Sequence, residues 1–360
     1  MGKRSPKKSL SAALVACLTI SALLAATASL AAPRVKPHPL YWGAWIGDQI
    51  TGEEAPWDMS AVKRFATKVG KGLSLIEFAT PLAECDGTNS NCQPSQFPTA
   101  AMQAIRDYGA IPFLSWSTAS TPGNLNQADF QLSDIVHKRH DDYLKAFAKE
   151  AAAWGHPFFL RFDWEMNGNW FPWAEHANDN KPGEYVAAWR HVHDIFARAG
   201  ATNATWVWCP YANTRGALGK FGHYYPGDRY VDWTCLDAYN FAKNPDNPRP
   251  WQSFDALFWP SYKKVTRRIA PDKPMILGEI ASNGPPKRKA TWIRQMFRSV
   301  TRFYPKVHGL IWFDHFDRGL SWPIEIDRAP TLTFKTGLQR TPFLGPNFGN
   351  LEASPIPPPG

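Results

Sequence analysis

Two glutamates stand where apolar runs stop. One follows Phe158-Phe159-Leu160-Arg161-Phe162, in the stretch Asp163-Trp164-Glu165-Met166-Asn167-Gly168-Asn169-Trp170. The other closes Met275-Ile276-Leu277-Gly278-Glu279. A carboxylate at the end of a buried strand is costly unless it is paired or used. Two that face each other over a cleft can share acid and nucleophile duties at an anomeric carbon. Carboxyls about 5–5.5 Å apart give retention, and a wider gap admits water and gives inversion. One must hold a proton while the other stays ionised, so apolar walls belong around the acid and hydrogen-bond donors around the nucleophile. Trp164 and Trp170 flank Glu165 in sequence, and Tyr239, closing another apolar run, is placed to donate to Glu279. The competing reading of the same residues is ion pairing with Arg161 or its neighbours.

Such groups need a scaffold that brings distant strand ends to one mouth. Eight short apolar runs recur about 38 residues apart: Leu40–Ile46, Leu73–Ala79, Ile111–Trp116, Phe158–Phe162, Thr205–Cys209, Trp233–Tyr239, Met275–Glu279 and Gly309–Phe313. Amphipathic stretches lie between most of them, at Ala61–Val69, Ala100–Tyr108, Asp134–Trp154, Glu184–Ala199 and Lys289–Phe303, with Pro330–Gln339 after the last. Continuous apolar strands alternating with helices mean a parallel sheet covered by helices. Eight units in one chain predict an α/β fold, a (β/α)8 TIM barrel whose chemistry sits at the C-terminal strand ends. An open doubly wound sheet would bring a Gly-rich phosphate loop after the first strand, and Gly43-Ala44-Trp45-Ile46-Gly47 is not one.

The 360 residues are 44% hydrophobic and 20% charged, which excludes a disordered chain and a multi-span membrane protein. Lys3, Arg4, Lys7 and Lys8 precede an uncharged apolar stretch from Leu10 to Ala32. This predicts a secretory signal over residues 1–31, cleaved near Ala28 to Ala31, and a secreted or periplasmic barrel over 34–341. Lipidation at Cys17 is the weaker alternative, because the apolar run continues past it. Removing the signal lowers the formal charge of +9, and the remaining cations are scattered, so nucleic acid is not an expected partner. Four other cysteines permit two disulfides in an exported chain. Pairing Cys85 with Cys92 would clamp a polar loop, and Cys209 and Cys235 lie at similar depth in consecutive predicted strands. Residues 342–360, rich in Pro and Gly, read as a loose tail.

The chain carries 17 Trp. Trp116, Trp164, Trp170, Trp173, Trp208, Trp312 and Trp322 all fall near predicted strand ends, and as a group they point to pyranose faces packed on aromatic rings. His191 and His193 do not share a helix face, so no metal site is expected there. Asp314-His315-Phe316-Asp317 reads as a hydrogen-bond cluster at the barrel mouth or as a substrate contact. No Gly-x-Ser-x-Gly elbow, phosphate loop or His-Glu-x-x-His motif is present, which argues against esterase, NTPase and zincin chemistry.

The string from Arg161 to Phe171 resembles the signature of glycoside hydrolase family 26, the family of many β-mannanases. That signature runs Arg, two variable residues, His, Glu, Met, Asn, Gly, one variable residue, Trp, Phe. The likeness continues through Trp206-Val207-Trp208-Cys209-Pro210, Tyr224-Tyr225-Pro226-Gly227-Asp228, Leu236-Asp237-Ala238-Tyr239 and Pro274-Met275-Ile276-Leu277-Gly278-Glu279. The resemblance implies a retaining endo-β-glycanase that needs no metal or cofactor. Glu165 would be the acid/base, Glu279 the nucleophile and Tyr239 its hydrogen-bond partner. Trp170 and Trp312 would be sugar-stacking walls, with Trp164, Asn167 and Trp116 as further substrate contacts. The expected partner is a polysaccharide, first β-1,4-mannan and second a β-glucan, met by a monomer. A barrel that binds polysaccharide without cutting it is the alternative of another class. Trp164 replaces the family's His before the acid/base, and Ser117 replaces a second His after the third strand.

Overall fold

Each apolar run becomes a strand: β1 Tyr41–Ile46, β2 Leu75–Thr80, β3 Ile111–Trp116, β4 Phe158–Phe162, β5 Ala204–Trp208, β6 Trp233–Asn240, β7 Met275–Ser282 and β8 Val307–Asp314. A computed structural model describes residues 38–86, 91–212, 219–242, 250–317 and 319–360. The expected signal segment and Cys17 lie outside the described residues. The eight strands pair in parallel and close into a barrel, with β1 hydrogen-bonded to β2 on one side and β8 on the other. Tyr41 stands opposite Gly309, and Trp45 lies between Glu77 and Phe313.

Strand alternation sorts side chains into two sets. Inward positions stack upward from Tyr41, Phe159 and Trp233, whose rings pack within 6.3 Å of each other, to Phe113. Above Phe113 come Arg161, Glu77, Ser115, Asp237 and Glu279, all buried. Outward positions such as Trp42, Trp116 and Trp312 meet the helices. The helices take the expected places, with two differences. The stretch 134–154 is split into Leu132–Val136 and Asp141–Trp154, because Lys138 adopts φ 66° and breaks the hydrogen-bond ladder. A helix at Phe254–Lys264 fills the gap between β6 and β7. No helix among the described residues is long and apolar enough to cross a membrane.

The segment after Pro342 is packed, contrary to the expected loose tail. Ile356 is 1% exposed and its N–H donates to Thr205 Oγ1 at 2.9 Å. The Trp233 indole donates to Ile356 O at 2.8 Å, and the Tyr41 hydroxyl to Pro357 O at 3.0 Å. Proline cannot join a strand ladder, but its carbonyls still accept. The tail thus seals the barrel floor opposite the mouth.

Candidate active site

Glu165 lies in a turn that leaves β4 with two non-glycine residues in the left-handed region, Asp163 at φ 41° and Glu165 at φ 53°. Such residues persist only where their surroundings fix them. Asp163 N–H donates to Trp116 O at 3.0 Å, and Glu165 N–H to Cys209 O at 2.7 Å. The Asp163 carboxyl accepts from Thr118 N–H at 2.8 Å and from its hydroxyl at 2.9 Å. Asp163 therefore ties the turn to the loop after β3 and does not hold Arg161. Burial pushes its carboxyl up to about 8.

Two sets of donors meet the two glutamates. The Trp170 indole donates to Glu165 Oε2 at 2.5 Å. Glu279 Oε1 accepts from Arg161, and Glu279 Oε2 accepts from the Tyr239 hydroxyl. Tyr239 is raised by burial first, then by the charges of Glu279, Glu165 and Asp237, so all three carboxyls act on one phenol. Asp237 Oδ1 accepts the Glu279 N–H at 2.9 Å. That approach requires Gly278, since a Cβ there would stand 2.1 Å from Asp237 Oδ1. Arg161 also donates through Nε to Ser115 Oγ at 2.8 Å, through Nη1 to Asp237 at 2.8 Å, and lies against Glu77 at 2.5 Å. Glu77 and Asp237 were not among the residues singled out in sequence for the site.

The aromatic wall differs from the one expected. Trp312 is fully buried between Trp292 and Phe334, and Trp116 is stacked on Phe147 at 4.3 Å. Both face the helices, so neither touches the cleft. Their neighbours one residue away turn inward: Ser115 joins the Arg161 network, and half-buried Phe313 lies 5.7 Å from Tyr239 and 5.8 Å from Trp45. Asn167 is buried and ties two loops together. Its side chain donates to Tyr211 O at 2.9 Å and accepts from Tyr211 N–H at 2.8 Å, which clamps the loops after β4 and β5. Tyr211 in turn meets Trp170 edge-on at 5.1 Å. Trp164, in place of the histidine, lies over the Arg161 guanidinium at 4.8 Å and packs on Trp173. Ser117 is buried, its N–H donating to Thr80 O. Among the described residues, half-buried Trp45, Trp170, Tyr239 and Phe313 stand on the mouth side of the Arg161 network.

The bridges Cys85–Cys92 and Cys209–Cys235 are both formed, the second inside the barrel beside Asp237. Behind the mouth, the buried Lys289 ammonium donates to the carbonyls of Ser321, Trp322 and Pro323, and burial draws it down to about 8. This fixes Trp322, whose ring packs on Tyr239 at 5.3 Å. Asp314 accepts from Ile324 N–H at 2.8 Å and from Gln49 at 3.2 Å, a hydrogen-bond cluster as expected.

A closed parallel barrel carries a donor-supported pair of glutamates at the C-terminal ends of β4 and β7, an arrangement suited to glycoside hydrolysis. Residues 120–278 match glycosyl hydrolase family 26. The match stops one residue before Glu279. Endoglucanase H of Acetivibrio thermocellus is 32% identical over 286 residues, which are 78% of this chain and 28% of that protein. The chain thus spans under a third of that relative's length. A mannan endo-1,4-beta-mannosidase of Bacillus subtilis is 28% identical over 52% of this chain and 49% of its own length. The same barrel is seen in the structure of Bacillus subtilis mannanase man26, at TM-score 0.56 and 18% identity over 83% of this chain and 85% of that one.

Proposed function

We propose that this chain is a retaining endo-β-glycanase. Glu165 protonates the leaving oxygen while Glu279 attacks the anomeric carbon, giving a glycosyl-enzyme and freeing the leaving sugar. Glu165 then takes a proton from water, which displaces Glu279 and restores the starting configuration. The observation that carries this is the pair of donors on Glu279: Arg161 and Tyr239 both donate to it, as a carboxylate nucleophile requires, and the indole of Trp170 donates to Glu165. Trp45, Trp170 and Phe313 offer faces for sugar rings beside them.

The first substrate is β-1,4-mannan, supported by relatives named mannan endo-1,4-beta-mannosidase. A β-glucan is the second reading, favoured by Trp164 and Ser117 at the two histidine positions and by the likeness to an endoglucanase. Export of a monomer is part of the proposal, supported by the basic and apolar N-terminal sequence and by two disulfides. The domain division is a barrel from residue 34 with its floor closed by residues 342–360.

The test is reducing-sugar release from galactomannan, glucomannan, mixed-linkage glucan, β-1,3-glucan and β-1,3-xylan, with Glu279→Ala beside the wild type. Release from at least one, lost in the variant, is expected, and the best substrate decides between mannan and glucan. Release that survives Glu279→Ala would sink the assignment of the nucleophile. Failure of a fluorinated glycoside to label Glu279 would favour a binding barrel.

A further inference from the structure

Arg161 brings one positive charge to three buried carboxyls. Its Nη2 touches both Glu77 Oε1 at 2.5 Å and Glu279 Oε1, and its Nη1 donates to Asp237 Oδ2 at 2.8 Å. Three ionised carboxyls around one guanidinium would leave uncompensated charge in a dry interior, which is expensive.

The hydrogen bonds indicate where a proton belongs. Glu77 Oε1 accepts from the Ser115 hydroxyl at 2.8 Å and lies against Arg161, so both lone pairs of a carbonyl oxygen are filled. Glu77 Oε2 is buried and has no hydrogen-bond partner among the described residues. A bare anionic oxygen at such a site costs far more than a bare hydroxyl. Ser115 has one proton, and because it accepts from Arg161 Nε it gives that proton to Glu77. This pattern is that of a neutral acid, with its carbonyl toward Arg161 and its hydroxyl on Oε2. Asp237 and Glu279 differ, since both oxygens of each accept from a donor.

We propose that Glu77 is a positioning residue that works in its protonated form, leaving the charge of Arg161 to Glu279, and that its ionisation disables the nucleophile by reclaiming Nη2. The proposal rests on the role of Glu279 given above. Among the described residues the charged groups facing Glu77 are Arg161 on β4, Asp237 on β6 and Glu279 on β7, while β1 and β3 set Trp45 and Ser115 beside it. Burial outweighs the attraction of Arg161, and Glu279 and Asp237 act in the same direction as burial, so the Glu77 carboxyl is raised to about 8.

The test isolates the attack of Glu279. Dinitrophenolate leaves without needing a proton, so kcat/KM for 2,4-dinitrophenyl β-mannobioside and β-cellobioside does not require Glu165 as acid. Wild type and Glu77→Gln are measured from pH 5.5 to 9.5, each profile normalised to its own value at pH 6.5. The wild-type value is expected to fall about tenfold per pH unit above about 8, with no such fall in the variant. An equal alkaline fall in both, or none in the wild type, overturns the inference. No dinitrophenolate release by the wild type at any pH overturns the glycosidase reading and this inference with it. Melting temperature checks the proton independently of turnover. A carboxyl raised in the folded state stabilises it at low pH and loses that effect as pH rises toward about 8. Glu77→Gln should therefore gain on the wild type between pH 5 and pH 8, and a constant difference overturns the protonated state.

Discussion

Ile356→Ala tests whether residues 342–360 belong to the barrel. The side chain is 1% exposed, and its backbone joins Thr205 on β5 and Trp233 on β6. Truncating a buried isoleucine to alanine costs about 2–5 kcal/mol, according to how far the site collapses. A segment without a helix or sheet of its own can close in partly, so about 2–3 kcal/mol is the expected loss. A chain of this size unfolds with an entropy of about 0.7 kcal/mol per kelvin, at roughly 2 cal/mol/K for each residue. The melting temperature should therefore drop by about 3–4 °C. Ile356→Val should drop it by only about 1–2 °C, since that change costs about 0.5–1.5 kcal/mol. Calorimetric scans at one rate, with circular dichroism to confirm the fold, make the measurement. A melt of Ile356→Ala within 1 °C of wild type would mean that Tyr41 and Trp233 stay covered without this side chain, and the floor argument fails.

Two further outcomes follow from facing and charge. Trp312→Phe should lower the melting temperature with KM changed by less than about twofold, whereas Phe313→Ala should raise KM severalfold, because only Phe313 borders the cleft; kinetics on the best polysaccharide read both, and the reverse pattern would restore Trp312 to the wall. Burial draws His308 down to about 4. A histidine so lowered supports the fold when neutral, and that support disappears as pH falls from about 6.5 through about 4. His308→Phe should therefore melt less steeply with acid over that window, and parallel melting curves would refute the assignment.

The barrel was legible because parallel strands buried on both faces read as unbroken apolar runs, and every predicted run begins within two residues of its strand's start. That same property hid which residue of each pair faces inward. Trp116 and Ser115, or Trp312 and Phe313, differ by one position, and only closure of the sheet decides between them. A signal was present in the single polar residues placed inside otherwise apolar strands: Glu77, Ser115, Arg161 and Asp237 with Glu279 form one layer. Taken together they would have outlined the floor of the active site. The tail was misjudged because proline content reports what a segment cannot pair with, and its partners here are side-chain donors far away in the chain.

The seam between β1 and β8 makes the order of synthesis matter. Tyr41 pairs with Gly309, and its hydroxyl bonds Pro357 across 316 residues. Contacts so distant repay their loop entropy late, so a nascent chain holding β1 to β7 has two open sheet edges and a wet interior. Until β7 emerges, Arg161 lacks Glu279, and the charged layer cannot dry. A ribosome pausing after β7 but before Val307 therefore presents a nearly complete but unclosed sheet to chaperones and to other nascent copies. The segment past Pro342 then wedges the floor shut. Slow translation of the first half should be harmless, while truncation within the last fifth should send the product into aggregates.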